Sequence, residues 1–348
     1  MEERGLHVKL GLGVRNGFFN HDYLSFAQQL GVTHIIVFRP GEELLPSSKD
    51  GYWSLDDLLA MKKMAAEYNI EIGGMENFKL SHWDQIVLKG PGREQQMECV
   101  KRTISNLGKA KIPIMGYNFS IAGVWGRVDG PNARGGAISP RCAKEVSPPE
   151  DTPIPNGTFM NFVVRPDAPK GFLEPVTSEE MWDRVTWFLE RIIPVAEEAG
   201  VSLAAHPEDP PIPVLRGMGR MLIRPECYDR LFSIVPSDNI KVEFCQGTFA
   251  EMPGVDVYET IEKFASANKI AYVHFRNVRG KYPDYREVFI DEGDVDMVKA
   301  LKLYKKHGFD GIFMPDHTPA FTTCPDSPYA ATAHAIGYMR GIMQAIDA

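Results

Sequence analysis

The segments VSLAAHPEDPPIP (residues 201–213), IKVEFCQGT (240–248), IAYVHFRNV (270–278) and GIFMPDHTP (311–319) decide how this chain folds. Each opens as a short apolar run of strand character and ends abruptly in polar turn residues. Working outward, four earlier runs have the same form: VKLGLG (8–13), THIIVF (33–38), IEIGGM (70–75) and IPIMGY (112–117). Between the runs lie stretches of helical period. SLDDLLAMKKMAAEYN begins at Ser54, a good N-cap, and further helices are expected from Arg93, Ser178, Val257, Asp296 and Ser327. Gly200 and Gly308 stand where C-cap glycines are expected. Eight strand–helix repeats predict an α/β fold, a closed (β/α)₈ TIM barrel forming one domain over residues 1–348. An open doubly wound sheet would carry a glycine-rich phosphate turn after an early strand, and GLGVRNG at Gly11 does not supply one. Residues 123–175 are dense in Gly, Pro, Asn and Asp and read as a long insertion after strand four, at the C-terminal mouth.

Composition narrows the function classes. With 44% hydrophobic and 24% charged residues the chain is of ordinary globular type. A net charge of −8 argues against a nucleic-acid partner. No apolar run is long enough to cross a membrane, and the charged N-terminal sequence MEERGLHVKL has no secretory pattern. Five cysteines without a CxxC pair suggest reduced thiols and a cytoplasmic setting, in which the sequons at Asn118 and Asn156 carry no sugar. A homo-oligomer is compatible with the sequence, though no interface is legible.

Barrel enzymes carry their chemistry at the C-terminal ends of strands. Those ends hold His206, Cys245, His274 and Asp316, four metal-competent side chains from successive strands. His206 opens a stiff acidic loop in which Glu208 or Asp209 could orient a ligand histidine. Arg276 and Asn277 follow His274, and the planar fork of an arginine suits a carboxylate substrate. His317, next to Asp316, is a candidate general acid or base. Asp294 is expected to cap the following helix, with Asp296 in its first turn.

HPEDPP, the Cys-Gln-Gly-Thr after strand six, VHFRNV, GDVDM and PDH, in that order, resemble the mannonate dehydratases. MENF at Met75, GPGREQQ at Gly90, TISNLGKAKIPIMGYNF, VWGR at Val124 and RGGA at Arg134 agree, so the resemblance runs from about residue 70 to 317. It implies a xylose-isomerase-like barrel, a divalent metal (usually Mn²⁺) and conversion of D-mannonate to 2-dehydro-3-deoxy-D-gluconate with loss of water. It also implies that His206, Cys245, His274 and Asp316 hold the metal. By the same resemblance His317 and Tyr329 are catalytic, and Asn118 and Arg276 lie near the substrate. A thiolate with two imidazoles would by softness alone favour Zn²⁺ or Fe²⁺. The chain departs from the family pattern in GVRNGFFNHDY, which lacks the early aromatic segment, and at Thr318, where the family has Gly. Tyr329 is also about two residues too close to Arg340. A sugar isomerase or epimerase, a dehydratase of another sugar acid, or a non-catalytic sugar-acid binder are the alternatives, and product analysis separates them.

Overall fold

The computed structural model describes residues 9–15, 17–324 and 327–347. Val8, with which the first expected strand begins, lies outside them. Eight parallel strands close into a barrel: β1 (Lys9–Arg15), β2 (His34–Phe38), β3 (Glu71–Glu76), β4 (Ile114–Tyr117), β5 (Ser202–Ala205), β6 (Ile240–Cys245), β7 (Ile270–His274) and β8 (Ile312–Met314). Pairing of Lys9 with Ile312 and Leu10 with Phe313 closes β1 onto β8. All eight coincide with the apolar runs read from the sequence. Helices follow them in turn: α1 (His21–Gln29), α2 (Leu55–Ala66), α3 (Arg93–Lys109), α4 (Ser178–Ala199), α5 (Cys227–Ile234), α6 (Val257–Ser266), α7 (Met297–Lys306) and α8 (Pro328–Asp347).

The helix ends show why the boundaries fall where they do. Ser54 caps α2, its side chain accepting the Asp57 amide. Gly200 ends α4 at a φ of 67°, a left-handed conformation that suits glycine. The cap of α7 differs from expectation: Asp296 accepts the Lys299 amide and is the N-cap itself. Asp294 instead takes the Gly280 amide of a neighbouring hairpin, because the helix starts two residues later than the acidic run suggests.

Strand alternation builds the barrel interior and aims the site. Ile36, Ala204, Tyr272, Ile312 and Met314 pack together inside it, with Ile114 against them. One inward step further along the same rows come Phe38, Gly116, His206, His274 and Asp316, with Asn118 one step beyond Gly116. Gly116 has no side chain for a reason: a Cβ there would lie within 2.5 Å of Glu243 Oε2 and closer still to Tyr272 Oη. Between β4 and α4 the chain forms short strands rather than a plain loop. Arg127–Gly130 and Ser139–Cys142 join Val278–Lys281 and Asp284–Glu287, from the loop after β7, in a four-stranded antiparallel sheet. That sheet delivers Arg127 and Glu287 to the barrel mouth.

Candidate metal centre and active site

At the C-terminal ends of the strands lies a cavity of about 820 Å³. Its lining includes Asn118, His206, His274, Arg276, Asp316 and His317, all singled out from the sequence. Donor atoms of His206, Cys245 and His274 lie within 4.8 Å of one another. The histidines are held by their far nitrogens. His206 Nδ1 is 2.6 Å from the Pro207 carbonyl, which leaves Nε2 for a ligand. His274 Nε2 is 3.2 Å from Glu76 and 3.4 Å from Glu243, whereas its Nδ1 is buried without a hydrogen-bond partner. A buried imidazole nitrogen left open beside a thiol and a second imidazole fits a divalent transition metal. Asp316 stands next to this group, 3.5 Å from His274 Nδ1, but is not within the same 4.8 Å circle.

The charges around the group support that reading. Burial alone would raise the Cys245 thiol, but Arg276 and the two imidazoles hold it well below its ordinary value. His274 is held well above the ordinary imidazole value, against its burial, by Glu76 and Asp316. His206 is raised too, against its burial, by Cys245 and Glu243. Buried beside Glu76, Glu243 is pushed up to about 8. A thiolate is a strong donor to a divalent cation, and a bound cation would displace the protons that the two imidazoles hold.

His317 sits at a φ of 48°, a strained conformation for a residue with a side chain. It breaks strand alternation, so His317 and Asp316 face the same cavity. Its Nδ1 is 2.8 Å from Glu287 and its Nε2 3.4 Å from Asp316. Glu287 is buried, and Arg127, His317 and Arg276 outweigh that burial and hold its carboxyl at about 2.

Several expected residues stand differently. Asn277 is outside the cavity lining: its side-chain amide donates to the Ile290 and Val295 carbonyls, and its oxygen accepts the Val278 and Val295 amides. Arg276 lines the cavity, with its Nε and Nη2 engaged within the protein and its Nη1 buried without a hydrogen-bond partner. It contacts Cys245 at 3.3 Å, Asp316 at 3.3 Å, Asp209 at 3.3 Å and Thr248 at 3.0 Å. Tyr329 is outside the cavity lining, its ring edge-on to Phe26 at 4.6 Å and behind Tyr23. Neither Glu208 nor Asp209 orients His206: Glu208 pairs with Arg220, and Asp209 with Arg127 and Arg276. Asn118 is buried in the cavity wall, its amide donating to Asn77 Oδ1. Sequence reasoning missed Glu76, Glu243, Glu287 and Arg127; the acidic residue inside the apolar run IKVEF was the one available signal.

The model of the D-mannonate dehydratase (UxuA) family matches residues 20–136 and 171–348, leaving out only part of the 123–175 insertion in its interior. A mannonate dehydratase from Streptococcus pneumoniae is 28% identical over 280 residues, covering 76% of this chain and 74% of that protein. Mannonate dehydratase 2 of Halalkalibacterium halodurans is 28% identical over 319 residues, covering 85% and 89%. The crystal structure of mannonate dehydratase from Streptococcus suis serotype 2 superposes with a TM-score of 0.81 at 25% identity, covering 97% of this chain and 95% of that one. With its barrel, its buried histidine–cysteine group and a family match over most of its length, this chain belongs to the D-mannonate dehydratase family.

Proposed function

We propose that this protein is a hydro-lyase that converts D-mannonate to 2-dehydro-3-deoxy-D-gluconate and water. The observation that carries this reading is the convergence of His206, Cys245 and His274, with His317 beside them in one cavity, in a chain of this family. His206, Cys245 and His274 would hold the metal, with Asp316 adjacent as a fourth donor. Mn²⁺ is favoured by the family resemblance, and the donor set also suits Fe²⁺ or Zn²⁺. When bound, a divalent ion would supply Lewis-acid stabilisation of the negative charge that builds as the C2 proton leaves.

The protein's own groups handle the protons. Dehydration removes the proton at C2 and expels the C3 hydroxyl as water, and the enol then becomes the 2-keto-3-deoxy acid. Glu287, ionised at neutral pH, stands 2.8 Å from His317 Nδ1, and Arg127 Nη1 stands 3.0 Å from the same nitrogen. Together they hold the ring so that Nε2 can take or give a proton in the cavity. Arg127 fixes Glu287 at 2.8 Å, so the orientation of the histidine ring rests on a buried ion pair. Arg276 holds Cys245 and Asp316 in place. Among the described residues no helix is long and apolar enough to cross a membrane.

The test is product analysis on purified protein given D-mannonate: dehydration removes one water from the acid, whereas an isomerase or epimerase conserves its mass. Unchanged mass with a new stereoisomer would overturn the reading.

A further inference from the structure

Four arginines line the cavity: Arg15, Arg39, Arg127 and Arg276. Arg127 is paired with Asp209 and Glu287, and Arg276 with Asp209, Glu287 and Asp316. Both are held among carboxylates of the protein, although Arg127 Nε and Arg276 Nη1 are themselves buried without a hydrogen-bond partner. Arg15, at the end of β1, and Arg39, just after β2, have no ion-pair partner among the described residues. Both stand beside Phe38, their guanidinium carbons 5.5 and 5.0 Å from its ring centre.

Arg39 is the more constrained of the two. Its backbone has a φ of 43°, and its amide donates to the Glu76 carbonyl at 2.9 Å, which locks the turn after β2 to β3. Its Nε is buried without a hydrogen-bond partner. The insertion covers it: Met160 Sδ is 3.7 Å from its Nη2, and the Phe162 ring centre is 5.6 Å away. Two neighbouring cations, one with an unsatisfied buried donor, are costly unless an anion joins them. Burial, opposed by Glu76 and reinforced by Arg15, pulls the Arg39 guanidinium down to about 10. A planar carboxylate matches the fork of an arginine that no carboxylate of the protein already holds.

We propose that Arg39, with Arg15, binds the carboxylate of the sugar acid, so that the acid end lies at β1 and β2. This rests on the sugar-acid reading above and replaces Arg276 as the group that fixes that end. The insertion then closes over the bound carboxylate through Met160 and Phe162.

Binding is measured by calorimetry on metal-loaded protein in a His317→Ala background, which stops turnover. The ligands are D-mannonate and D-mannitol, the neutral polyol of equal length. Arg39→Met and Arg15→Met should each weaken mannonate about 10- to 100-fold and leave mannitol unchanged. With His317 restored, they should raise KM for mannonate more than they lower kcat. Arg15 is exposed, so its variant tests the idea even if Arg39→Met folds poorly. If both variants fold, keep their metal and still prefer mannonate to mannitol as the parent does, the anchor is wrong. If the unmodified protein dehydrates no mannonate yet prefers a sugar acid to its polyol through Arg39, the anchor stands and the assigned reaction falls.

Discussion

Around β5 to β8 the cavity wall wraps carboxylates about two arginines: Asp209, Glu287 and Asp316 lie within ion-pair range of Arg276, and Asp209 and Glu287 also pair with Arg127. At β1 and β2 two arginines face the same space with no carboxylate in range among the described residues. In the first half charges of opposite sign fix one another; a buried pair of this kind is weak evidence for stability. The second half is left open, as a surface that meets an anion has to be. One wall thus holds metal donors and a proton carrier, and the other is built to receive charge.

The largest effect that would break this comparison comes from the donor trio. Cys245→Ser should abolish stoichiometric metal binding and with it nearly all turnover, read by elemental analysis and product assay. Next, His317→Ala should keep its metal but lower kcat by about 10²–10⁴-fold; an unaltered rate would remove it from the chemistry. Glu76→Gln tests whether the carboxylate at 3.2 Å from His274 Nε2 orients that ligand. Metal affinity should fall about 10- to 100-fold, whereas a passive wall residue would leave it unchanged.

The smallest effect concerns stability. Glu251 is buried near Arg276, and burial raises its carboxyl from 4.5 to about 8. Folding therefore favours its protonated form, a contribution complete below 4.5 and lost as pH rises to about 8. Glu251→Gln, which mimics that form, should be more stable than the parent at pH ~9 by roughly 2–4 kcal/mol and little different near pH ~5. Denaturant unfolding at the two pH values measures this; equal gains at both would show that charge burial is not the cause.

The strands were legible because each barrel strand is an apolar run, and the metal trio because alternation carries Ala204 to His206 and Tyr272 to His274 along one inward row. The partners were not legible. His274 meets Glu76 across 198 residues and His317 meets Glu287 across 30, so the ion pairs depend on barrel closure and on the added antiparallel sheet. The hydrogen bonds of Asn277 and Arg276 were not legible for one reason: proximity in sequence to a ligand does not show which way a side chain's hydrogen bonds run. Asn277 turns to loop carbonyls and Arg276 to buried acids. Tyr329 was placed by family pattern in a region where this chain's spacing differs, and its ring packs on α1 instead.

The central claim is that His206, Cys245 and His274 hold the ion on which loss of water from a sugar acid depends. It is tested most directly by stripping the protein, titrating Mn²⁺, Fe²⁺ or Zn²⁺ back, and following D-mannonate by mass spectrometry beside the Cys245→Ser variant. The account predicts water loss that rises with metal to one ion per chain and is absent from the variant. Water loss by the metal-free protein, or full activity in Cys245→Ser, would contradict it.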